Sequence, residues 1–288
     1  MKLVSYREDD FDRVIQFIAH LNSDGAHHIG YFGLEPIDIR HTLEELEPPL
    51  TESFVLAVQD GELVGLLGAE IDADVNRAWL YGPLIEAADW HTLADDLYAA
   101  VRAVIPPNIA QHELFFDARN QHCQQFAERY GFKSRGDWVI YVLPRGGTLP
   151  AGSANAWDAR FFEQFAALHN TVFPNTYYTA QQVIDRQNEH VKLLLATQGD
   201  DLQGYVFGKV DPEAGEGYID FIGVDARCRG QQIGKRLLAA LIGWMFAFPS
   251  VQHIDLTVSA ENVAALGLYD SFGFARERTM RAYRTEEQ

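Results

Sequence analysis

The stretch Val224-Asp-Ala-Arg-Cys-Arg-Gly-Gln-Gln-Ile-Gly-Lys-Arg-Leu-Leu238 decides how the chain is read. Upstream of it, Gly217-Tyr-Ile-Asp-Phe-Ile-Gly-Val224 is β-branched and aromatic with turn residues on both sides, which predicts a strand. Downstream, Ile233, Leu237, Leu238, Leu241 and Ile242 recur at helical spacing. The turn between them holds Arg227, Arg229, Gly230, Gly234, Lys235 and Arg236. Such a strand–turn–helix aims several backbone N–H groups at one point, where the helix dipole also favours an anion. Arg and Lys beside those amides add charge-assisted bonds. The expectation is a pyrophosphate cradle. It is not a Walker loop, because Gly230 and Gly234 are too close and Arg236 follows Lys235. The dinucleotide pattern Gly-x-Gly-x-x-Gly is absent from this turn as well.

The window Arg229-Gly-Gln-Gln-Ile-Gly234 resembles the acyl-CoA loop of the GNAT superfamily of N-acetyltransferases, usually Arg/Gln-x-x-Gly-x-Gly/Ala, with Gln232 in place of the first glycine. A second stretch, Leu256-Thr-Val-Ser-Ala-Glu-Asn-Val-Ala-Ala-Leu-Gly-Leu-Tyr-Asp-Ser-Phe-Gly-Phe274, reads as strand, turn, helix and Gly-Phe exit. It is similar to the family's other signature, Asn-x-x-Ala-x-x-Leu-Tyr-x-x-x-Gly-Phe, with one residue extra between Ala265 and Tyr269 depending on alignment. The two signatures fall in the family's order.

The chain has 288 residues, 47% of them hydrophobic, enough for one large or two ordinary domains with real cores. Its opening residues are polar and charged, so no signal peptide is expected, and no apolar run reaches membrane-spanning length. Cys123 and Cys228 make neither a disulfide framework nor a zinc pattern, and a cytoplasmic setting is expected. Formal net charge is −18, and the acidic excess is larger before Thr148 than after it. Nucleic acid needs a basic face and is not an expected partner; a cationic amine would be attracted.

An internal repeat organises the rest. Phe54-Val-Leu-Ala-Val-Gln-Asp-Gly-Glu-Leu-Val-Gly-Leu-Leu-Gly68 reads as a hairpin around Asp60-Gly61, and its counterpart runs from Leu193 to Gly208. Gly65 matches Gly204 and Trp79 matches Tyr218 at one offset. Leu114–Asn120 matches Leu256–Asn262, and Tyr130-Gly-Phe132 matches Phe272-Gly-Phe274, at another. Helices are expected before each hairpin, over Asp9 to Leu21 and Ala159 to His169, with second ones near Pro36 or Thr42 and at Thr179, whose Thr-Ala-Gln-Gln spacing is a capping box. The expected fold is α/β (α+β): two tandem GNAT-like domains, each a mixed, mostly antiparallel sheet flanked by helices. Residues 1–145 form the first, 146–153 a Gly/Pro-dense linker, and 154–288 the second. In the first copy Glu86-Ala-Ala-Asp89 stands where the cradle should be, and Ala127 stands where the second has Tyr269. The first copy reads as degenerate and the second as catalytic.

The resemblance implies roles for particular residues. Phe221, Ile222, Gly223 and Val224 would bind pantetheine through their backbone, with Asn262 touching the same arm. The segment Arg229, Gly230, Gln231, Gln232, Ile233, Gly234 and Lys235 would hold the pyrophosphate of acetyl-CoA, the cosubstrate. Tyr269 would be the acid, since tyrosine stays protonated at neutral pH. Asp220 is the first choice of base, on the strand face expected to carry Tyr218 and Ile222, and Glu216 is the second. Phe173, Asn175, Tyr177 and Tyr178 lie where the family lines its acceptor site. His27 and His28 have no third partner at a metal-ligand spacing, so no metal is expected. The resulting expectation is an acyl-CoA-dependent N-acyltransferase acting on a small-molecule or peptide amine, as monomer or homodimer. Its rival is a non-catalytic acyl-CoA-binding or scaffold protein.

Overall fold

The computed structural model describes residues 1–174 and 176–286. They divide into two compact units, Met1–Trp138 with the described residues from Arg278 onward, and Val139–Glu277. The expected linker at 146–153 is therefore not where the units part. The chain leaves the first unit inside one strand and returns to it inside another.

In order, the chain forms β1 (Lys2–Ser5), α1 (Phe11–Asn22), α2 (Pro36–Glu44), α3 (Leu50–Ser53), β2 (Phe54–Gln59), β3 (Glu62–Asp72), β4 (Arg77–Ile85), α4 (Trp90–Val104), β5 (Gln111–Asp117), α5 (Gln121–Arg129) and β6 (Lys133–Pro144). Then follow β7 (Asn155–Ala156), α6 (Phe162–Val172), α7 (Ala180–Asp185), β8 (Val191–Gln198), β9 (Asp201–Asp211), β10 (Glu216–Val224), α8 (Ile233–Met245), β11 (His253–Ser259), α9 (Val263–Asp270) and β12 (Ala275–Arg284). The expected hairpins are β2–β3 and β8–β9, the first closed by Asp60 and Gly61 with φ of 53° and 93°. The capping box at Thr179 is present, with its hydroxyl accepting from the Gln182 amide.

The first unit orders its strands β1-β2-β3-β4-β5 and then residues 278–284 of β12; the second orders them β6-β11-β10-β9-β8-β7. In each, one pair is parallel, β4 with β5 and β10 with β11. The sixth strands are exchanged. β6 begins directly after Phe132 and β12 directly after Phe274, so the two are equivalent in the repeat, yet β12 pairs with β5 from Met280↔Asp117 to Arg284↔Glu113. β6 lies beside β11.

Each sheet buries its own core. In the second unit, Ile233, Leu237, Leu238, Leu241 and Ile242 of α8 are buried, as their spacing predicts, against Val206, Ile219, Leu256 and Val258. Each is worth about 1.5–3 kcal/mol of apolar burial. On the opposite sheet face Phe165, Tyr205, Phe207 and Phe221 pack beneath α6 and α7.

Candidate active site

The second unit's sheet opens along one seam. β10 and β11 pair from Glu216↔His253 to Ile219↔Leu256, and there the parallel ladder stops. β10 runs on to Val224, still paired with β9, and β11 runs on to Ser259. A bulge on β10 between Ile219 and Phe221 marks the parting. Residues 221–224, the expected pantetheine-binding segment, are thus the part of β10 that has lost its β11 neighbour.

The cradle closes the wide end. Beyond Val224 a short 3₁₀ turn, Ala226–Cys228, leads to Gly230 at φ +78° and Gln232 at φ 59°, and α8 begins. The first helical bond of α8 runs from the Arg236 amide to the Gln232 carbonyl, and no side chain caps the helix. The amides of Ile233, Gly234 and Lys235 therefore point forward unspent by the helix. Arg227 is tied to Asp225 at 2.6 Å, whereas Arg229, Lys235 and Arg236 form no ion pair among the described residues. Nothing in the protein demands a glycine at 234: an added Cβ would meet Val224, Leu268 and Ile222 at an ordinary 3.6–3.9 Å.

Gln232 takes the left-handed conformation that glycine adopts freely. For a side chain this costs about 1–2 kcal/mol, partly offset in a glycine variant by the greater freedom of the unfolded chain. Gln232→Gly is expected to raise stability by up to about 1 kcal/mol in urea denaturation. A variant less stable than the natural chain would show that the Gln232 side chain holds the turn.

Tyr269 sits at the end of α9, 5% exposed, with its ring 5.8 Å from Tyr141 and 5.7 Å from Phe274. Tyr141 donates to Asp270 at 2.8 Å and Arg276 pairs with the same carboxylate at 2.9 Å, fixing this end of the helix. Among the described residues the Tyr269 hydroxyl has no hydrogen-bond partner. Burial, and then the neighbouring Tyr141, push its pKa up, so it is a firmly protonated phenol. Asn262 spends its side-chain oxygen on the Ala265 amide, capping α9. Asn120 caps α5 in the same way, so the cap alone accounts for an asparagine in both copies.

Asp220 lies at the bulge. One carboxylate oxygen accepts from the Tyr177 hydroxyl at 3.0 Å, while Oδ2 is buried with no hydrogen-bond partner among the described residues. Burial raises its pKa to about 6, against the downward pull of Lys209, the Tyr177 bond and Arg186. The face assignment needs one correction. Asp220 is on the side of Tyr177 and Tyr218, but Ile222 packs toward α8 and Gly234. The extra residue at the bulge breaks the strict alternation that put Ile222 with Asp220. Glu216 stands farther along, 3.1 Å from His253, which also lies 3.8 Å from Asp255. Among the described residues these three are the group of carboxylates and imidazole close enough to share an ion, and here they partner one another.

The acceptor-side residues meet Asp220 from above the sheet. Tyr177 stacks on Phe221 at 5.0 Å and touches Tyr178 at 4.8 Å; Phe173 lies 4.9 Å from Phe221. Tyr177 is 38% exposed as a residue, although its hydroxyl is sheltered on Asp220. Asn175 lies outside the described residues. Sequence reasoning missed what holds this loop, the fully buried His169. Its Nε2–H donates to the Tyr178 carbonyl at 2.8 Å, and its Nδ1 meets the Tyr205 hydroxyl at 2.6 Å. Burial lowers its pKa, so it is neutral. The signal was a histidine one turn after Phe165 on an otherwise apolar helix face.

The first unit repeats the seam but not the opening. β4 and β5 pair only from Arg77↔Gln111 to Trp79↔Glu113. Beyond that, the segment 28–30 lies along β5: the Gly30 amide donates to Phe115 at 2.7 Å, and the Asp117 amide to His28 at 3.1 Å. Asn22 anchors the segment, accepting from the Ile29 amide at 2.7 Å and donating to Gly33 at 3.0 Å. His28 is buried with Nδ1 on the Asn22 carbonyl, its pKa lowered to about 4 by burial. Where an acyl-CoA arm would lie in the second unit, the first has its own backbone.

A mostly antiparallel sheet that parts between two parallel strands, beneath an amide-lined basic turn, is the frame of a GNAT acetyltransferase domain. Residues 159–274 match the model of the acetyltransferase (GNAT) family. The chain is 30% identical over 92 residues to the catalytic subunit of the N-terminal acetyltransferase B complex of Arabidopsis thaliana, covering 31% of this chain and 53% of that protein. It is 34% identical over 89 residues to mycothiol acetyltransferase of Salinispora arenicola, covering 29% of this chain and 28% of that protein. The chain thus spans about half or less of these relatives' length. In structure it resembles a GCN5-related N-acetyltransferase from Sphaerobacter thermophilus, with a TM-score of 0.78 at 18% identity over 99% of this chain and 95% of that one. A tandem GNAT protein from the clavulanic acid biosynthesis pathway superposes with a TM-score of 0.68 at 15% identity, over 99% and 98%. The family match thus falls on residues 159–274, and the chain has the fold of tandem GNAT proteins.

Proposed function

We propose that the chain transfers an acetyl group from acetyl-CoA to a primary amine, and that only the second unit does so. The observation that carries this is the seam: an open strand edge leads from the basic, amide-lined turn to a point flanked by a protonated phenol and a carboxyl poised near neutrality. Acetyl-CoA supplies an activated thioester. The chain's own groups supply the rest. Backbone of Phe221–Val224 holds the pantetheine arm, and the segment Arg229–Lys235 holds the pyrophosphate. Asp220 takes the proton that the amine must lose, and Tyr269 returns one to the departing thiolate. Asn262 contributes by fixing the start of α9. Phe173, Tyr177 and Tyr178 wall the acceptor, with Tyr177 moving off Asp220 when an amine arrives. Two observations support silence of the first unit: the segment 28–30 fills its seam, and carboxylates stand at 86 and 89 instead of cations. No helix among the described residues is long and apolar enough to cross a membrane, and a cytoplasmic setting fits acetyl-CoA supply.

Calorimetric titration tests the reading. One acetyl-CoA is expected per chain, and Gly234→Asp is expected to weaken binding at least about a hundredfold, by setting a charge against the pyrophosphate. An added Cβ at residue 234 meets only ordinary contacts, so Gly234→Ala should fold normally and serves as the control, with circular dichroism checking the fold of the Asp variant. Two equivalent sites would overturn the silent first unit; undiminished binding in the Asp variant would remove the cradle from this turn. Binding without acetylation of any amine would favour the scaffold reading.

A further inference from the structure

We infer that the acceptor is a primary amine that also carries a carboxylate, the amine meeting Asp220 and the carboxylate meeting Arg186 and Lys209. This rests on the acyl-transfer reading above and narrows its substrate class. The sheet face around Asp220 is a charged mosaic whose members are unequally satisfied. Among its acids, Glu216 and Asp255 are engaged with His253, and Asp211 accepts from the backbone of its own turn. Its two cations have no such partners: neither Arg186 nor Lys209 forms an ion pair among the described residues.

Both stand beside the proposed base. Lys209 is the cross-strand partner of Tyr218, two residues before Asp220, and points from the same face, since Val210 and Val206 pack with α8 on the other. Arg186 follows α7 and lays its guanidinium 4.1 Å over the Tyr178 ring, next to Tyr177 and hence to Asp220. Stacking holds the plane of the guanidinium and leaves its N–H edge for a planar oxyanion. Lys209 and then Arg186 are the charged groups that pull the Asp220 pKa down. In a chain of net charge −18, two unpaired cations flanking a carboxylate suit a ligand of the complementary pattern, one ammonium and one carboxylate.

The test compares short ω-amino carboxylates with n-alkylamines of equal length, measuring coenzyme A release at saturating acetyl-CoA. Amino carboxylates are expected to be preferred at least about tenfold in kcat/KM, the effect residing in the acceptor KM. Arg186→Gln and Lys209→Gln should each reduce that preference about tenfold, and Arg186→Lys should keep part of it. Aminoalkyl phosphonates, measured alongside, should share the preference if charge dominates and lose it if planar pairing to Arg186 does; either result keeps the oxyanion. Alkylamines turned over as well as amino carboxylates would overturn the inference while leaving acyl transfer standing. So would an undiminished preference in both Gln variants. Failure to acetylate any amine despite bound acetyl-CoA would sink the acyl-transfer reading and this inference together.

Discussion

Asp220→Asn is expected to slow acetyl transfer by about 10²–10⁴-fold while acetyl-CoA still binds. The carboxyl titrates near 6 because burial opposes its ionisation. Turnover of the natural chain should therefore climb as pH rises through about 6, as the base ionises, and this limb should vanish in the Asn variant. Stability should move the other way. An aspartate in the unfolded chain titrates near ~3.9, so between that value and 6 the folded form binds more protons. Its stability falls as pH rises through that window, because a charge is being created in a poorly solvated place. Asp220→Asn removes that charge and is expected to raise Tm at neutral pH. A slower but more stable variant would mark a residue kept for chemistry at the cost of the fold. A variant with natural turnover and an unmoved pH limb would return Asp220 to a packing role and pass the base to Glu216.

The second large effect concerns Tyr269. Tyr269→Phe leaves the ring against Tyr141 and Phe274 and removes only a hydroxyl that has no hydrogen-bond partner among the described residues. Stability should change by less than about 1 kcal/mol, and acetyl-CoA affinity little. Turnover is expected to fall about 10²–10⁴-fold, toward the low end because a thiolate leaves readily. Single-turnover measurements, which isolate chemistry from product release, decide the matter. Natural single-turnover rates would make Tyr269 a core residue.

The architecture was legible because local signals agreed with it: hairpins around Asp60-Gly61 and within Leu193–Gly208, apolar spacing along α8, and the capping box at Thr179. The candidate site was legible where it depends on a contiguous segment. Arg229–Lys235 and Tyr269 could be assigned to one turn and one helix because that turn and α9 are single local elements, while the roles proposed for them come from the resemblance. The bulge at Asp220 was not legible, since a one-residue slip in strand pairing leaves no mark on composition. Nor was the plug at His28–Gly30, whose partners lie on β5, far along the chain. His169 was invisible for the same reason, as its function is to join the carbonyl of one loop to a hydroxyl of β9. Long-range pairing also hid the exchange of sixth strands, which moved the unit boundaries away from the Gly/Pro-dense segment.

That exchange sets a timetable for the nascent chain. The first unit's sheet is finished by Arg284, which binds Glu113 across 171 residues of sequence. While the ribosome makes everything in between, β5 waits with a bare edge, a template for wrong partners. Its most dangerous partner is β6, the equivalent strand in the repeat and the one that arrives first. A nascent first unit that captured β6 would look complete and would leave the later β12, instead of β6, to take the place beside β11. Slow synthesis after Pro144 should favour that error, and rapid delivery of the remaining chain should suppress it. Pulse-labelled translation with limited proteolysis would reveal it as a protected fragment ending near residue 144, appearing before full-length chains and declining as they accumulate.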